Sequence, residues 1–335
     1  MTESCRPAEN EITINLIIYI IQGIYGISSC IVYFLNIKAL HYHRNNLDRT
    51  FSLLYTSCAA MSILYFLDHY LIRRFVKLGY FCEEILEAFS EPTYFLNPYK
   101  TISSYCPIVI LVFHCLIAIH RFCVVAMPVK GVQVWDKYRR VFTLIGYLIP
   151  LFFMWFMIPC KSYAEVDTEG IGGLDIEYVK VFSLSSSFFA AWAAAIFGVL
   201  TLGFTIWMLI LLSKMSFRKM KSTEASLIIF EVFMTASTMV YAFTEAMLYY
   251  SIHVLANKEL KATIIHYRNF AIDIFILPQA WTLLFLSKTV RLYLFRFCGR
   301  KIGMNFSSSN DYNNSNRKIT RVASSFIPNP DMLKT

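Results

Sequence analysis

Apolar positions along this chain gather into long blocks separated by short polar stretches. The block from 102 to 120 carries no Lys, Arg, Asp or Glu, then meets His120-Arg121, a further apolar run and Pro128. A helix of that length crosses a bilayer core of roughly 30 Å. Arg121 falls near its end, where a long stem reaches toward headgroup depth. The pattern predicts a central membrane helix with a cation at one mouth. Six further blocks predict helices around it, giving an all-α membrane protein with spans at 14–40, 51–72, 98 or 101 to 127, 141–159, 181–212, 225–250 and 266–290. The third, fifth and sixth are long enough to tilt or protrude. The small residues of AAWAAAIFG in the fifth allow close helix approach.

The polar remainder sets the expected organisation. Residues 1–13 form a polar outer segment and 14–290 the seven-helix domain. Residues 291–304 (RLYLFRFCGRKIGM) form a basic amphipathic segment on the inner surface, and 305–335 a Ser- and Asn-rich disordered cytoplasmic tail. The acidic start MTESCRPAENE lacks the features of a cleavable signal, so the first span is expected to serve as targeting signal. Basic residues cluster in alternate connections: Lys38, Arg44 and Arg49; then Arg121, Lys130, Lys137, Arg139 and Arg140; then Lys214, Arg218, Lys219 and Lys221; then the tail. The positive-inside rule therefore places the N-terminus outside and the C-terminus inside. The sequons at Asn305 and Asn313 fall in the tail and are expected to stay unglycosylated. Cys298 stands where S-palmitoylation anchors a juxtamembrane segment, or is a free cytosolic thiol. Arg321-Val-Ala-Ser324 has the form of a basophilic kinase site, a match common by chance.

Composition excludes several classes. The 335 residues are 57% hydrophobic and 16% charged, against about a quarter charged in soluble domains, so lipid is the expected solvent. The net charge of +9 then reflects loops facing an anionic leaflet rather than nucleic-acid binding. The nine cysteines show no CxxC pair or zinc spacing. No GxSxG, HExxH, P-loop or desaturase-type His box appears, so no enzyme, metal or cofactor is expected.

Ionisable groups at membrane depth cost about 3 kcal/mol each, so each needs a partner or a function. Counting along the helices places Asp68, Glu245 and Asp273 in the outer half and Glu231 and Arg121 in the inner half. Two sites are predicted from this. With His69, Ser103 and Tyr241, the outer acids form a candidate pocket for a small polar or amphipathic ligand; alternatively Asp68 pairs with His69 or Arg73, and Asp273 with Arg268. On the inner side Arg121, preceded by His120, pairs with Glu231 or with Glu224 as a latch between the third and sixth spans; alternatively it snorkels to phosphates. Lys137, Arg139, Arg140, Lys214, Arg218, Lys219 and Lys221 then form a basic partner surface. His114, seven residues before Arg121, is expected to be a hydrogen-bonded packing residue. Cys5, Cys82, Cys106 and Cys160 reach the oxidising side, and a bridge from Cys160 to Cys82 or Cys106 is the candidate disulfide.

Together these features resemble the nematode serpentine receptors of class gamma. The resemblance rests on His120-Arg121-Phe122, on Met127-Pro128 with Trp135 seven residues on, on Pro150 with Trp155 and Pro159, and on Asp273 followed by Leu277-Pro278 and Ser287-Lys-Thr-Val-Arg291. It covers about 12–291. It implies a GPCR-like seven-helix chemoreceptor of the plasma membrane, commonly of sensory cilia, with an odorant- or pheromone-like ligand and a heterotrimeric G protein as partners. Against rhodopsin-like receptors, His120-Arg121-Phe122 keeps only the arginine of Asp-Arg-Tyr, and Leu277-Pro278-Gln279-Ala280-Trp281 keeps only the proline of Asn-Pro-x-x-Tyr. A ligand-gated channel or transporter using the same acids is the alternative; a membrane lipid enzyme would need a site that the sequence lacks.

Overall fold

The computed structural model describes residues 9–42, 48–166, 173–182, 184–214, 222–255, 257–288 and 290–294, with only the backbone described at 9–12, 222–225, 258 and 259. The chain divides into two units, Met1–Arg291 and Leu292–Thr335. In the second, residues 292–294 are helical. Most of the expected amphipathic segment and all of the tail, with Cys298, Asn305 and Asn313, lie outside the described residues.

Seven helical stretches among the described residues are long and apolar enough to cross a membrane. The first span is α1 (Glu9–Tyr42). The second combines α2 (Arg49–Asp68), a π-helical stretch at His69–Arg74 and one turn of α3 (Phe75–Lys77). After a short α4 (Cys82–Phe89), the third span is α5 (Asn97–Ala126) and the fourth α6 (Pro128–Met154). A hairpin of β1 (Lys161–Val166) and β2 (Leu174–Val179) follows. The fifth span is α7 (Ser186–Lys214) and the sixth α8 (Ser222–His253). The seventh is α9 (Lys258–Ile276) continued by α10 (Pro278–Leu286).

Helix ends follow local chemistry. Asp48 caps α2, its carboxylate accepting the Thr50 and Phe51 amides at 3.0 and 3.1 Å. Pro128 opens α6 in the first turn, where its missing N–H costs nothing. The fourth helix thus begins thirteen residues before the expected 141, because the polar run 128–140 is helical too and extends the span past its apolar block. Apolarity marks lipid depth, and a helix can outrun it. The hairpin was likewise unforeseen: its alternating Lys161–Val166 and Leu174–Val179 lie between apolar blocks. It pairs antiparallel, Lys161 opposite Val179 and Val166 opposite Leu174, and Ser162 exchanges two 2.9 Å backbone bonds with Thr93 ahead of α5. Gly173 enters β2 at φ 78°, with Lys77 O only 2.4 Å from where a Cβ would stand, so this approach requires glycine.

The third span occupies the centre, packed by the second, fourth, fifth and sixth. Its apolar window is 72% buried, against 28–56% for the others. Pro278 breaks the seventh span at Leu277, as expected for a residue that cannot donate to the turn before it. The first span binds the carbonyls around this break. Tyr33 donates to Ile276 O and Asn36 Nδ2 to Ala280 O at 2.8 Å, while Trp281 Nε1 donates back to Ser29 at 2.8 Å. In lipid such pairing replaces water.

One buried tie of this unit is ionic. Arg74 grips Asp273 with two bonds, 2.7 and 3.1 Å, and both side chains are about 95% buried. Arg74 also donates to Asn269 O and to His69 Nδ1, each at 3.1 Å, and Tyr25 donates to Asp273. Spans one, two and seven are joined at this point. Removing one partner of a buried pair leaves an unpaired charge and costs about 3–5 kcal/mol. Arg74→Ala and Asp273→Ala are each expected to lower the unfolding free energy of the detergent-solubilised protein by about that amount. The double substitution should cost clearly less than their sum, as thermal or denaturant unfolding will measure.

Candidate functional site

The π-helical stretch in the second span ends on two consecutive arginines that serve different neighbours. Arg74 points to the first and seventh spans, whereas Arg73 lines a cavity of about 620 Å³ among the third, fifth, sixth and seventh spans beneath the hairpin. The cavity floor is ionic: Arg268 meets Glu245 Oε1 through Nε at 2.8 Å and Nη2 at 2.7 Å, with Glu245 fully enclosed. Tyr241, one turn below Glu245, and Tyr99, Ser103 and Ser104 of the third span add hydroxyls. Pro107, Ala190, Leu248, Ile252 and Ile265 supply apolar wall. The result is an amphipathic chamber of the size of small-molecule sites.

The hairpin roofs the chamber and is strapped down electrostatically. Asp175 lies 3.9 Å from Arg73 and 3.8 Å from Lys77. Lys100 donates to Ile176 O, lies 3.8 Å from Glu177 and faces the Tyr178 ring. The Tyr178 hydroxyl accepts the Ser186 amide at 3.0 Å, at the start of the fifth span. Partial burial would raise the Asp175 carboxyl, but Arg73, Lys77 and Lys100 outweigh it and hold it well below the usual carboxylate range.

The opposite end of the bundle carries a second constellation. His120 Nε2 donates to Asp48 Oδ2 at 3.2 Å while its ring meets Trp135 edge-on. Arg121 Nη1 is 4.0 Å from the same oxygen, and the guanidinium lies over the Phe51 ring at 4.1 Å. Burial pushes the Asp48 carboxyl up; the His120 bond, the charges of His120 and Arg121 and the Phe51 amide pull it down further, to about 2. Asp48 therefore joins the second span to the third. Glu231 in the sixth span is fully buried, and neither of its oxygens has a hydrogen-bond partner among the described residues.

Between the two ends runs a neutral chain of hydrogen bonds. Gln279 Nε2 donates to His114 Nε2 at 2.7 Å, so the His114 proton sits on Nδ1 and bonds Thr238 at 2.7 Å. Thr238 passes its own proton to Met234 O at 2.8 Å. His114 is thus the packing residue expected of it, linking spans three, six and seven.

The predicted sites are partly redistributed. Ser103, Tyr241 and Glu245 line the cavity, but Asp68, His69 and Asp273 do not. Asp68 lies against Ser103, His69 accepts from Arg74, and Asp273 is held by Arg74 rather than by Arg268, which belongs to Glu245. Helical counting gives depth but not direction, so it grouped acids that face different neighbours. Arg121 has its closest carboxylate in Asp48, not in Glu231; the Glu224 side chain lies outside the described residues. Of the basic surface, Lys137, Arg140 and Lys214 are exposed and Arg139 is half-buried, bonding Asp136 at 2.7 Å; Arg218, Lys219 and Lys221 lie outside the described residues. The expected bridge to Cys160 does not form. Cys106 and Cys160 are free buried thiols, and Cys160 donates to Phe156 O at 3.3 Å. Cys82 is disulfide-bonded, and none of the six other described cysteines is its partner, since all are free. Cys106 is enclosed within the third span. Arg73, Arg74, Lys100 and Arg268 were missed as site residues, although their charge near helix ends was visible.

A profile of the Srg family chemoreceptors matches residues 19–294. The chain belongs to this family. Serpentine receptor class gamma-69 of Caenorhabditis elegans is 64% identical over 306 residues, which covers 91% of this chain and 90% of the relative. Serpentine receptor class gamma-16 of the same organism is 24% identical over 230 residues, 68% of each chain. This Srg protein is therefore a chemosensory seven-helix receptor and a multi-pass membrane protein, and family membership marks it as a receptor rather than an enzyme. The resemblance carried by His120-Arg121-Phe122, Met127-Pro128 and Leu277-Pro278 is confirmed.

The hairpin strap of this Srg receptor has a definite pH behaviour. Because folding lowers the Asp175 value, its contribution is complete above the unfolded carboxylate range, about pH 4, and is lost only as pH falls through the lower folded value. Proteolytic nicking of the hairpin is expected to run at the same substrate-corrected rate at pH 6 and pH 8. Asp175→Asn should speed it roughly tenfold, equivalent to about 1.4 kcal/mol, at both values.

Proposed function

We propose that this receptor is activated by a small amphipathic molecule, odorant- or pheromone-like, bound in the chamber beneath the hairpin, and that it signals through a heterotrimeric G protein at the opposite end. One observation carries the reading: a family of chemoreceptors and a roofed, amphipathic cavity of about 620 Å³ coincide in one chain. Ser103, Tyr241, Glu245 and Arg268 present polar groups to the ligand head, and Pro107, Leu248 and Ile265 hold its apolar body. Asp68, His69 and Asp273 act behind that wall, supporting the helices that carry it. The ligand shifts the receptor by binding the active arrangement more tightly than the resting one.

At the other end Arg121 and His120 form the coupling centre, with Glu231 and Glu224 of the sixth helix as its acids in this reading. Lys137, Arg139, Arg140, Lys214, Arg218, Lys219 and Lys221 offer a basic surface to the G protein. In this reading the chamber opens outside the cell, the N-terminus lies outside and the C-terminus inside, in the plasma membrane and, in a sensory neuron, the cilium. Membrane lipid covers the exposed apolar faces.

The test is heterologous expression with an odorant panel, reading calcium or cyclic nucleotide with and without G-protein inhibition. Ser103→Phe, which fills the chamber, is expected to raise the half-maximal concentration at least tenfold, equal to about 1.4 kcal/mol of binding, at unchanged surface delivery. Arg121→Gln is expected to abolish the response without moving ligand affinity. A ligand-evoked current that persists under G-protein block would instead support a channel. The orientation is tested separately: an N-terminal tag should label on intact cells, and Asn305 and Asn313 should carry no glycan.

A further inference from the structure

Arg121 and Glu231 each lack what the other offers. The guanidinium reaches Asp48 through Nη1, at 4.0 Å, and its Nε and Nη2 protons are buried without a partner among the described residues. Both Glu231 oxygens are likewise buried without a hydrogen-bond partner among the described residues. The two groups attract one another through space but form no direct pair. Thr205 interacts with Glu231, and its hydroxyl also bonds Thr235 at 2.8 Å. Orphaned donors and orphaned acceptors in one water-poor interior are each costly, and here they are complementary in number and sign. A guanidinium carries a planar fork that a carboxylate accepts through both oxygens.

We propose that Arg121 is a two-station side chain and that Asp48, which caps the second span, is the positioning residue that withholds it from Glu231. In the first station Asp48 and the Phe51 ring hold Arg121 and bind the third span to the second, leaving the sixth free of it. In the second station Arg121 joins Glu231 and clasps the third span to the sixth. The acid that rhodopsin-like receptors place next to this arginine is His120 here. That histidine donates to Asp48, so it orients the acid instead of replacing it. Asp48 is partly open to solvent while Glu231 is fully enclosed. The exchange therefore trades a loose ion pair at the bundle end for a bidentate pair inside.

The inference rests on the coupling role given to Arg121 above, and two independent readouts separate them. The first uses the purified receptor and needs no ligand or G protein. Asp48→Asn keeps a capping oxygen but removes the charge that holds Arg121. Glu231→Gln in the otherwise unchanged receptor should leave the melting temperature the same or raise it, because an unpartnered carboxyl is removed. In the Asp48→Asn background, where Arg121 has moved to Glu231, the same substitution should lower it. Asp48→Ser, a second cap-preserving variant, should reproduce the reversal, and Arg121→Gln should erase it. The same sign and size of effect in both backgrounds would overturn the two-station arrangement. The second readout is basal signalling, which Asp48→Asn should lower and which Glu231→Gln added to that variant should restore. Reversal in melting with no change in signalling would keep the two stations and overturn the coupling role of Arg121.

Discussion

A charge in a bilayer core has no water to fall back on, and this bundle is arranged around satisfying that demand. The Arg74–Asp273 pair is its clearest expression. One arginine supplies two bonds to a single carboxylate, a third to Asn269 O and a fourth to His69, so that spans one, two and seven cannot separate without exposing a bare ion. The carbonyls freed around Pro278 obey the same demand, accepting from Tyr33 and Asn36 of the first span. Apolar contact alone would not select these neighbours, because lipid tails are as apolar as leucine. The polar bonds do the selecting.

With that frame set, the polar groups separate by end. At the hairpin end opposite charges are paired across a chamber, so its walls are polar yet nearly neutral. At the opposite end the pairing is incomplete: Asp48 serves His120 and Arg121 together, and Glu231 is served by neither. Fully satisfied networks make an element rigid, whereas an unpaired buried polar group is costly. The neutral run from Gln279 through His114 to Thr238 joins the helices between the two ends without adding charge.

The π-helical stretch at His69–Arg74 carries the two arginines that fasten the roof and the frame. In a regular helix Arg73 and Arg74 would lie about 100° apart and serve adjoining faces. Here too they serve adjoining faces: Arg73 reaches Asp175 in the roof and Arg74 reaches Asp273 between helices. The roof and the frame are therefore fastened by consecutive residues. Motion of the hairpin and motion of the seventh span share one short piece of backbone.

The linear order of residues determined the number of spans, the central place of the third, the break at Pro278 and the packing role of His114. Each of these depends on composition or local chemistry: long apolar blocks, a missing amide proton, an uncharged stretch around an imidazole. Tertiary structure alone decided the partners. Asp273 went to Arg74 and Glu245 to Arg268, Arg121 turned to Asp48, and Cys160 stayed free of Cys82 and Cys106. Counting residues along a helix gives height in the membrane but leaves rotation about the axis undetermined. Whether two charges at the same height face one another or face lipid is set by how the helices are turned when they pack.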